Sequence, residues 1–247
     1  MKRILVVRFS SLGDVILSSA AVLNLKLSFP AARLSYLTKA RFAPVAASFD
    51  GVDEVVSLED GGVVADLVTL LLELDRRGYD AVVDLHGNPR SWLVRQMVTA
   101  PHRAVYPKRR IERMRLVRGG EKPFSRPHTI DLYNEAVAAV GGETPAVRPK
   151  MHVEPSVAMP GPLDELLRRH KLVVAIAPGA AHANKQWPIE QFCTVASELH
   201  RRHGVGIAWL VTRGDAGKGP SRREVTHGSL VEMGDCPVPV FAGGSRR

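Results

Sequence analysis

The chain has 247 residues, 45% of them hydrophobic, and carries 34 Lys and Arg against 25 Asp and Glu, a formal net charge of +9. Mean hydropathy is near zero and no apolar run is long enough to span a bilayer, while the only cysteines, Cys193 and Cys236, lie far apart and support neither a disulfide framework nor a zinc site. The first residues enter a strand directly, without signal-peptide patterning, so a cytoplasmic protein is expected, with an anionic ligand, nucleic acid or membrane surface to answer its positive charge.

Ile4-Leu5-Val6-Val7 predicts a strand buried on both faces, and the chain then turns sharply through Ser10, Ser11 and Gly13. Ile16, Ala20, Leu23 and Leu27 recur at helical spacing from about Asp14, and Pro30 closes the segment. A strand, a tight loop and a helix N-terminus make a natural anion site, because free N–H groups and the helix dipole both face it. Asp14 there reads either as a helix cap or as a base kept ionised to take a proton from a hydroxyl. No Gly-x-Gly-x-x-Gly follows the strand, which disfavours a dinucleotide-binding oxidoreductase.

Further strands are expected at 34–38 and 55–58, with a short helix between them, then a helix over 67–77 ended by Gly78 and a buried strand over 81–85. This alternation predicts an α/β fold with parallel sheets, whose ligands sit at the carboxyl ends of the strands. The loop His86-Gly87-Asn88-Pro89-Arg90 lies on that edge. It reads either as plain turn chemistry or as a substrate-holding set in which His86, Asn88 and Arg90 supply an imidazole, an amide and a guanidinium. Between Arg103 and Arg118 there are seven basic residues, one acid and one aromatic, Tyr106. That pattern fits a solvated basic face or a site for a phosphorylated or membrane-borne substrate, and gives little support to nucleic acid.

Five prolines between Gly141 and Pro162 mark a linker, assigned to 151–170, between a first domain over 1–150 and a second over 171–247. The second begins with a strand over 172–177, continues through the loop Pro178 to Pro188, and adds a helix over 189–203 and a strand over 207–211. In that loop Gly179 allows close approach, and Lys185 is either a solvated lysine or a point charge for a phosphate. The last 36 residues include ten Gly or Pro and no long periodic element, so the second domain is expected to be incomplete. Neither a metal-ligand cluster nor a cofactor motif is visible, and none bound by dedicated side chains is expected.

Three stretches together resemble glycosyltransferase family 9, the ADP-heptose:lipopolysaccharide heptosyltransferases. They are Arg8-Phe9-Ser10-Ser11-Leu12-Gly13-Asp14-Val15, the segment from Tyr79 through Asp84-Leu85-His86-Gly87-Asn88-Pro89-Arg90 to Ser91, and the segment from Ala177 through Lys185-Gln186-Trp187 to Pro188. The resemblance implies a GT-B architecture of two Rossmann-like domains with parallel sheets, the first binding acceptor and the second nucleotide sugar. It implies inverting transfer of heptose from ADP-heptose to the inner core of lipopolysaccharide, with Asp14 as general base. Lys185, Gly179 and Ala180 then fall on the donor side, and Ser10, Ser11, Gly13, His86, Asn88 and Arg90 on the acceptor side. The basic segment would answer an anionic acceptor, with peripheral contact at the inner membrane surface. The family's second phosphate-binding loop, Asp-Ser/Thr-Gly-x-x-His, has no match between Thr212 and Arg247, which implies C-terminal truncation and, as the alternative, a remnant that binds anionic glycolipid without catalysis.

Overall fold

The computed structural model describes residues 1–59, 64–109, 114, 127–152, 161–180, 183–211 and 228–232. The chain divides into two compact units, Met1–Val153 and Glu154–Arg247. In the first, β1 (Arg3–Val7), β2 (Arg33–Lys39), β3 (Glu54–Leu58), β4 (Ala81–Asp84) and β5 (His102–Val105) form an all-parallel sheet in the order β3-β2-β1-β4-β5. The helices are α1 (Leu12–Ser28), α2 (Ala43–Ala47) after a 3₁₀ turn, α3 (Val64–Arg76), α4 (Pro89–Met97) and α5 (Thr129–Ala139).

β1 is central because it can be buried on both faces: Ile4, Leu5, Val6 and Val7 are at most 1% exposed. Leu5, Val7 and Phe9 share one core with Leu37, Val82, Leu71 and Leu74 of α3 and Val94 of α4. Alternation sends Ile4, Val6 and Arg8 to the opposite face. α1 and α5 pack against each other through apolar stripes that include Ala21, Leu25, Leu132 and Ala136. Register runs Ile4↔Leu34 to β2 and Ile4↔Ala81 to β4. The chain order therefore switches between β1 and β4, the point at whose carboxyl ends sheets of this kind take their ligands.

The second unit has a parallel sheet of β6 (Val173–Ile176), β7 (Gly206–Val211) and β8 (Gly228–Glu232) in the order β6-β7-β8. Its helices are α6 (Gly161–Arg169) and α7 (Ile189–His203), and Ile176, Ala196, Ile207 and Trp209 form its core. Gly204, at φ +62°, ends α7 in the left-handed conformation that glycine adopts without penalty.

Five elements differ from the sequence expectation, and one of them is α5, a helix over residues where none was expected. β5 falls inside the segment expected as a basic face: only Ala104 of its four residues is buried, so this edge strand carries no hydrophobic alternation. α4 occupies residues expected only as a turn, because Asn88 caps it and Pro89 starts it. α6 fills the later part of the segment assigned to a linker, starting at Gly161-Pro162, where proline is tolerated in a first turn. β8 lies in the Gly- and Pro-rich end, pairing Trp209↔Leu230 with β7. The remaining residues from 212 to 247 lie outside the described residues, as do 153–160 of the linker and most of 110–126 in the basic segment.

Candidate active site

The site of the first unit is built from the two loops that leave β1 and β4. After Val7 the ladder continues for one step on each side, Arg8 N–H donating to Leu37 O (3.0 Å) and Leu85 N–H to Val7 O (3.0 Å). The chain then passes Ser10, a cis peptide bond and Ser11 to enter α1. Asp14 sits in the first turn of α1. Its Oδ2 accepts from the Ser11 hydroxyl (3.0 Å) and N–H (3.2 Å), and pairs with Arg8 Nη2 at 2.5 Å. Among the described residues nothing bonds to Oδ1, and the side chain is 36% exposed. Burial pushes the carboxyl's pKa up, but the Arg8 guanidinium and the two Ser11 donors outweigh it and hold Asp14 below the ordinary 3.8.

Arg8 is 5% exposed, which an arginine tolerates only when paired. Its Nη1 donates to the Leu85 carbonyl at 2.5 Å, so one guanidinium joins the β1 loop to the β4 loop. Its carbon lies 5.6 Å from the Tyr133 ring centre and 5.9 Å from that of Tyr106, within cation–π range.

The β4 loop is organised by Asp84, which is fully buried. Its Oδ1 accepts from the N–H groups of His86 and Gly87, both at 2.8 Å, and its Oδ2 from Ser91 Oγ (2.9 Å) and Arg95 Nε (3.0 Å). Gly87 sits at φ +60°, which favours glycine, and a Cβ there would lie 3.1 Å from Lys108 Cε, a contact the flexible lysine side chain can relieve. His86 meets Phe9 edge-on at 5.5 Å. Burial and the nearby positive charges of Arg8 and Lys108 push its pKa down to about 4, leaving a neutral imidazole at physiological pH.

Ser10, Ser11, Asp14 and His86 thus come together around Arg8, while Asn88 lies at the start of α4 and lines the cleft beside it. The Asn88 side chain caps α4, its Oδ1 accepting from Ser91 N–H at 2.8 Å, so only its amide N–H₂ remains for a ligand. Arg90 is exposed in the first turn of α4 and makes no ion pair with a described residue. Gly13 needs neither a left-handed φ nor room for a neighbour; a Cβ there would meet nothing within 4 Å, which leaves open space next to Asp14. Beside α4 a cleft of about 360 Å³ is lined by Gly87, Asn88, Trp92, Arg95, Tyr106 and Lys108. Sequence reasoning missed Asp84 and Arg95 as site builders and gave Arg8 no role. A charged residue at the end of an otherwise apolar strand was the available signal for Arg8 and Asp84.

In the second unit, Gly179 and Ala180 follow β6, and Gln186 Nε2 donates to Ala180 O at 2.9 Å, closing the loop on itself. Lys185 ends a 3₁₀ turn, Ala183–Lys185, and is exposed with no ion pair to a described residue. Among the described residues no cluster of His, Cys, Asp and Glu is arranged for a metal, and no helix is long and apolar enough to cross a membrane.

No curated protein matches the chain. Solved structures do: a glycosyl transferase family 9 protein from Veillonella parvula (20% identity, TM-score 0.71), the E. coli ADP-heptose LPS heptosyltransferase II (18%, 0.71) and E. coli heptosyltransferase WaaC with ADP (16%, 0.72). Each match covers 98% of this chain, and 72%, 75% and 79% of the respective neighbour. The architecture is therefore that of the GT-B glycosyltransferases. The family model of glycosyltransferase family 9 (heptosyltransferase) matches residues 68–227, well over half of the sequence. On that match the chain belongs to glycosyltransferase family 9, and the protein is a heptosyltransferase-like glycosyltransferase.

Proposed function

We propose that the protein transfers heptose from ADP-heptose to the inner core of lipopolysaccharide with inversion, Asp14 acting as general base and Lys185 contacting the donor phosphates. The observation that carries the reading is the asymmetry of Asp14: Oδ2 is anchored by Arg8 and Ser11, while Oδ1 bonds to no described residue on a side chain that is 36% exposed. The reading also draws on two neighbours whose names specify ADP-heptose and ADP.

In the reaction an acceptor hydroxyl attacks the anomeric carbon as the bond from that carbon to the diphosphate oxygen breaks. ADP leaves with the electron pair, and the hydroxyl proton passes to Asp14 Oδ1. A carboxylate of depressed basicity suffices, because the hydroxyl becomes strongly acidic only as its oxygen bonds to the sugar. Proton transfer is therefore late, and holding Asp14 ionised is what matters. Lys185 meets the charge that develops on the leaving diphosphate. Ser10, Ser11, His86, Asn88 and Arg90 flank the acceptor, with neutral His86 exchanging hydrogen bonds and carrying no charge of its own. Gly179 and Ala180 border the donor. A lipid-borne acceptor places the protein at the cytoplasmic face of the inner membrane, where Arg103, Lys108 and Arg109 suit an anionic surface.

The test is ADP release from ADP-heptose with a heptose-deficient lipopolysaccharide acceptor. Acceptor-dependent release should fall ~10²- to 10⁴-fold in Asp14→Asn, the range for loss of a general base. Lys185→Ala should raise the donor KM while leaving the acceptor KM unchanged. No release from folded protein, with a full-length family enzyme active alongside, would refute catalysis and leave glycolipid binding without transfer.

A further inference from the structure

We propose that Arg8 is the positioning residue of this site: its guanidinium, bonded to Asp14 Oδ2 on one side and the Leu85 carbonyl on the other, fixes the direction in which Asp14 presents its open oxygen to the acceptor. The inference rests on Asp14 being the base, and it assigns a function to a residue for which sequence reasoning had none.

Asp14 and the β4 loop lie on different segments, and nothing covalent sets their spacing. Arg8 spans them with two separate nitrogens, both at 2.5 Å. A lysine could make one of these bonds at a time, whereas the planar fork makes both at once. The guanidinium has little freedom to choose otherwise: it is 5% exposed, flanked by the Tyr106 and Tyr133 rings, and its buried Nε has no partner among the described residues. The Ser11 bonds are those of a capping box at the start of α1, and Arg8 adds a third donor to the same oxygen. Arg8 and Ser11 thus all converge on Oδ2, which leaves Oδ1 without a bond to a described residue.

The charges around the two titrating groups are specific. Asp14 faces Arg8 from the end of β1, and the phenols of Tyr36 on β2 and Tyr133 on α5. His86 faces Arg8, Lys108 from the segment after β5, and Asp84 at the end of β4, with the Ser10 main chain alongside. Arg8 is the cation common to both, so its removal should raise both pKa values. A general loosening of the fold would raise both as well, but it would lower the buried phenols of Tyr36 and Tyr133 toward their ordinary range, whereas removing Arg8, which holds those phenols down, should not.

The experiment compares Arg8→Lys, Arg8→Met and the charge-balanced double variant Arg8→Met/Asp14→Asn. The first readout needs no transfer: ¹³C titration of the Asp14 carboxyl and ¹⁵N titration of the His86 ring. Arg8→Met should raise Asp14, since only the two Ser11 donors then oppose burial, raise His86 by ~1 pH unit and leave the Tyr36 and Tyr133 phenols no lower, while Arg8→Lys should hold Asp14 and His86 near the wild-type values. The second is ADP release. Arg8→Met should lower kcat ~10- to 100-fold with acceptor KM little changed, and bring an acid limb of the pH profile up into the carboxylate range. Arg8→Lys should restore the limb and leave kcat low, because it returns the charge without the two-point hold. The double variant, which leaves no unpaired charge, reports whether the site still folds.

Unchanged Asp14 and His86 titrations in Arg8→Met would overturn the proposal, as would wild-type kcat in either single variant. A wild-type chain with no transfer activity would sink the proposed function instead, and the titrations would still decide whether Arg8 holds Asp14.

Discussion

Replacing Asp84 by Asn tests how the β4 loop is held. Asp84 is fully buried, and its oxygens accept four hydrogen bonds: two from the backbone N–H groups of His86 and Gly87, one from Ser91 and one from Arg95. An amide keeps Oδ1 and so keeps both backbone bonds. On the other side its N–H₂ faces the Ser91 hydroxyl, which can turn to accept, and the Arg95 Nε–H, which cannot. The loss is thus one charge-assisted bond, ~1.5–3 kcal/mol, plus the cost of leaving Arg95 without its anion. A fully buried partner would add several kcal/mol, but Arg95 is 20% exposed and water offsets part of it. The sum is ~2–4 kcal/mol, which lowers the melting temperature of a unit of this size by roughly 5–15 °C. Calorimetry measures that drop, and hydrogen exchange should find the His86 and Gly87 amides still protected. A change under ~2 °C, or loss of protection at those two amides alone, would refute this account of the loop.

Three further predictions follow from the same geometry. Gly87→Ala should destabilise by ~1–2 kcal/mol in urea unfolding, since it forces a side chain into φ +60° against Lys108. Gly13→Ala should raise stability by ~0.5–1 kcal/mol yet reduce transfer, because its methyl would enter the open space beside Asp14. His86 has a folded pKa of about 4 against 6.5 unfolded, so the unfolded state binds the extra proton. Stability from this group is complete above pH 6.5 and is lost as pH falls toward 4. The full linkage of ~3 kcal/mol reduces to ~1–2 kcal/mol for a half-buried ring, and His86→Gln should flatten the denaturation midpoint across that window.

What the sequence discloses follows the strength of its local signals. β1 and β4 are legible as apolar runs, and α7 is legible at both ends, from Pro188 before its first turn to Gly204 after its last. The place of Asp14 in the first turn of α1 is legible too, since strand, serines and helix period frame it. β5 is not, because an edge strand with one buried residue looks like exposed loop. Arg8 joins residues 77 apart, and that contact exists only because β4 lies next to β1 in the sheet. Local propensity holds no record of which strands become neighbours. The same limit hid Asp84: its hydrogen bonds to His86 and Gly87 are local, but its burial depends on the sheet around it.

The position of β1 has a consequence for how the protein comes into being. Its first partner, β2, follows about 30 residues later, but its second, β4, begins only at Ala81. At a synthesis rate of ~5–20 residues per second, the strand made first waits ~4–15 s for its other edge to be filled. Until then Arg8 has no Leu85 carbonyl to bond, and Asp14 is held by Ser11 but not by an anchored guanidinium. The most local-looking motif of the chain is therefore completed by one of its most non-local contacts, so Asp14 acquires its setting late in folding, after the α1–β2 segment beside it already has its helix and strand.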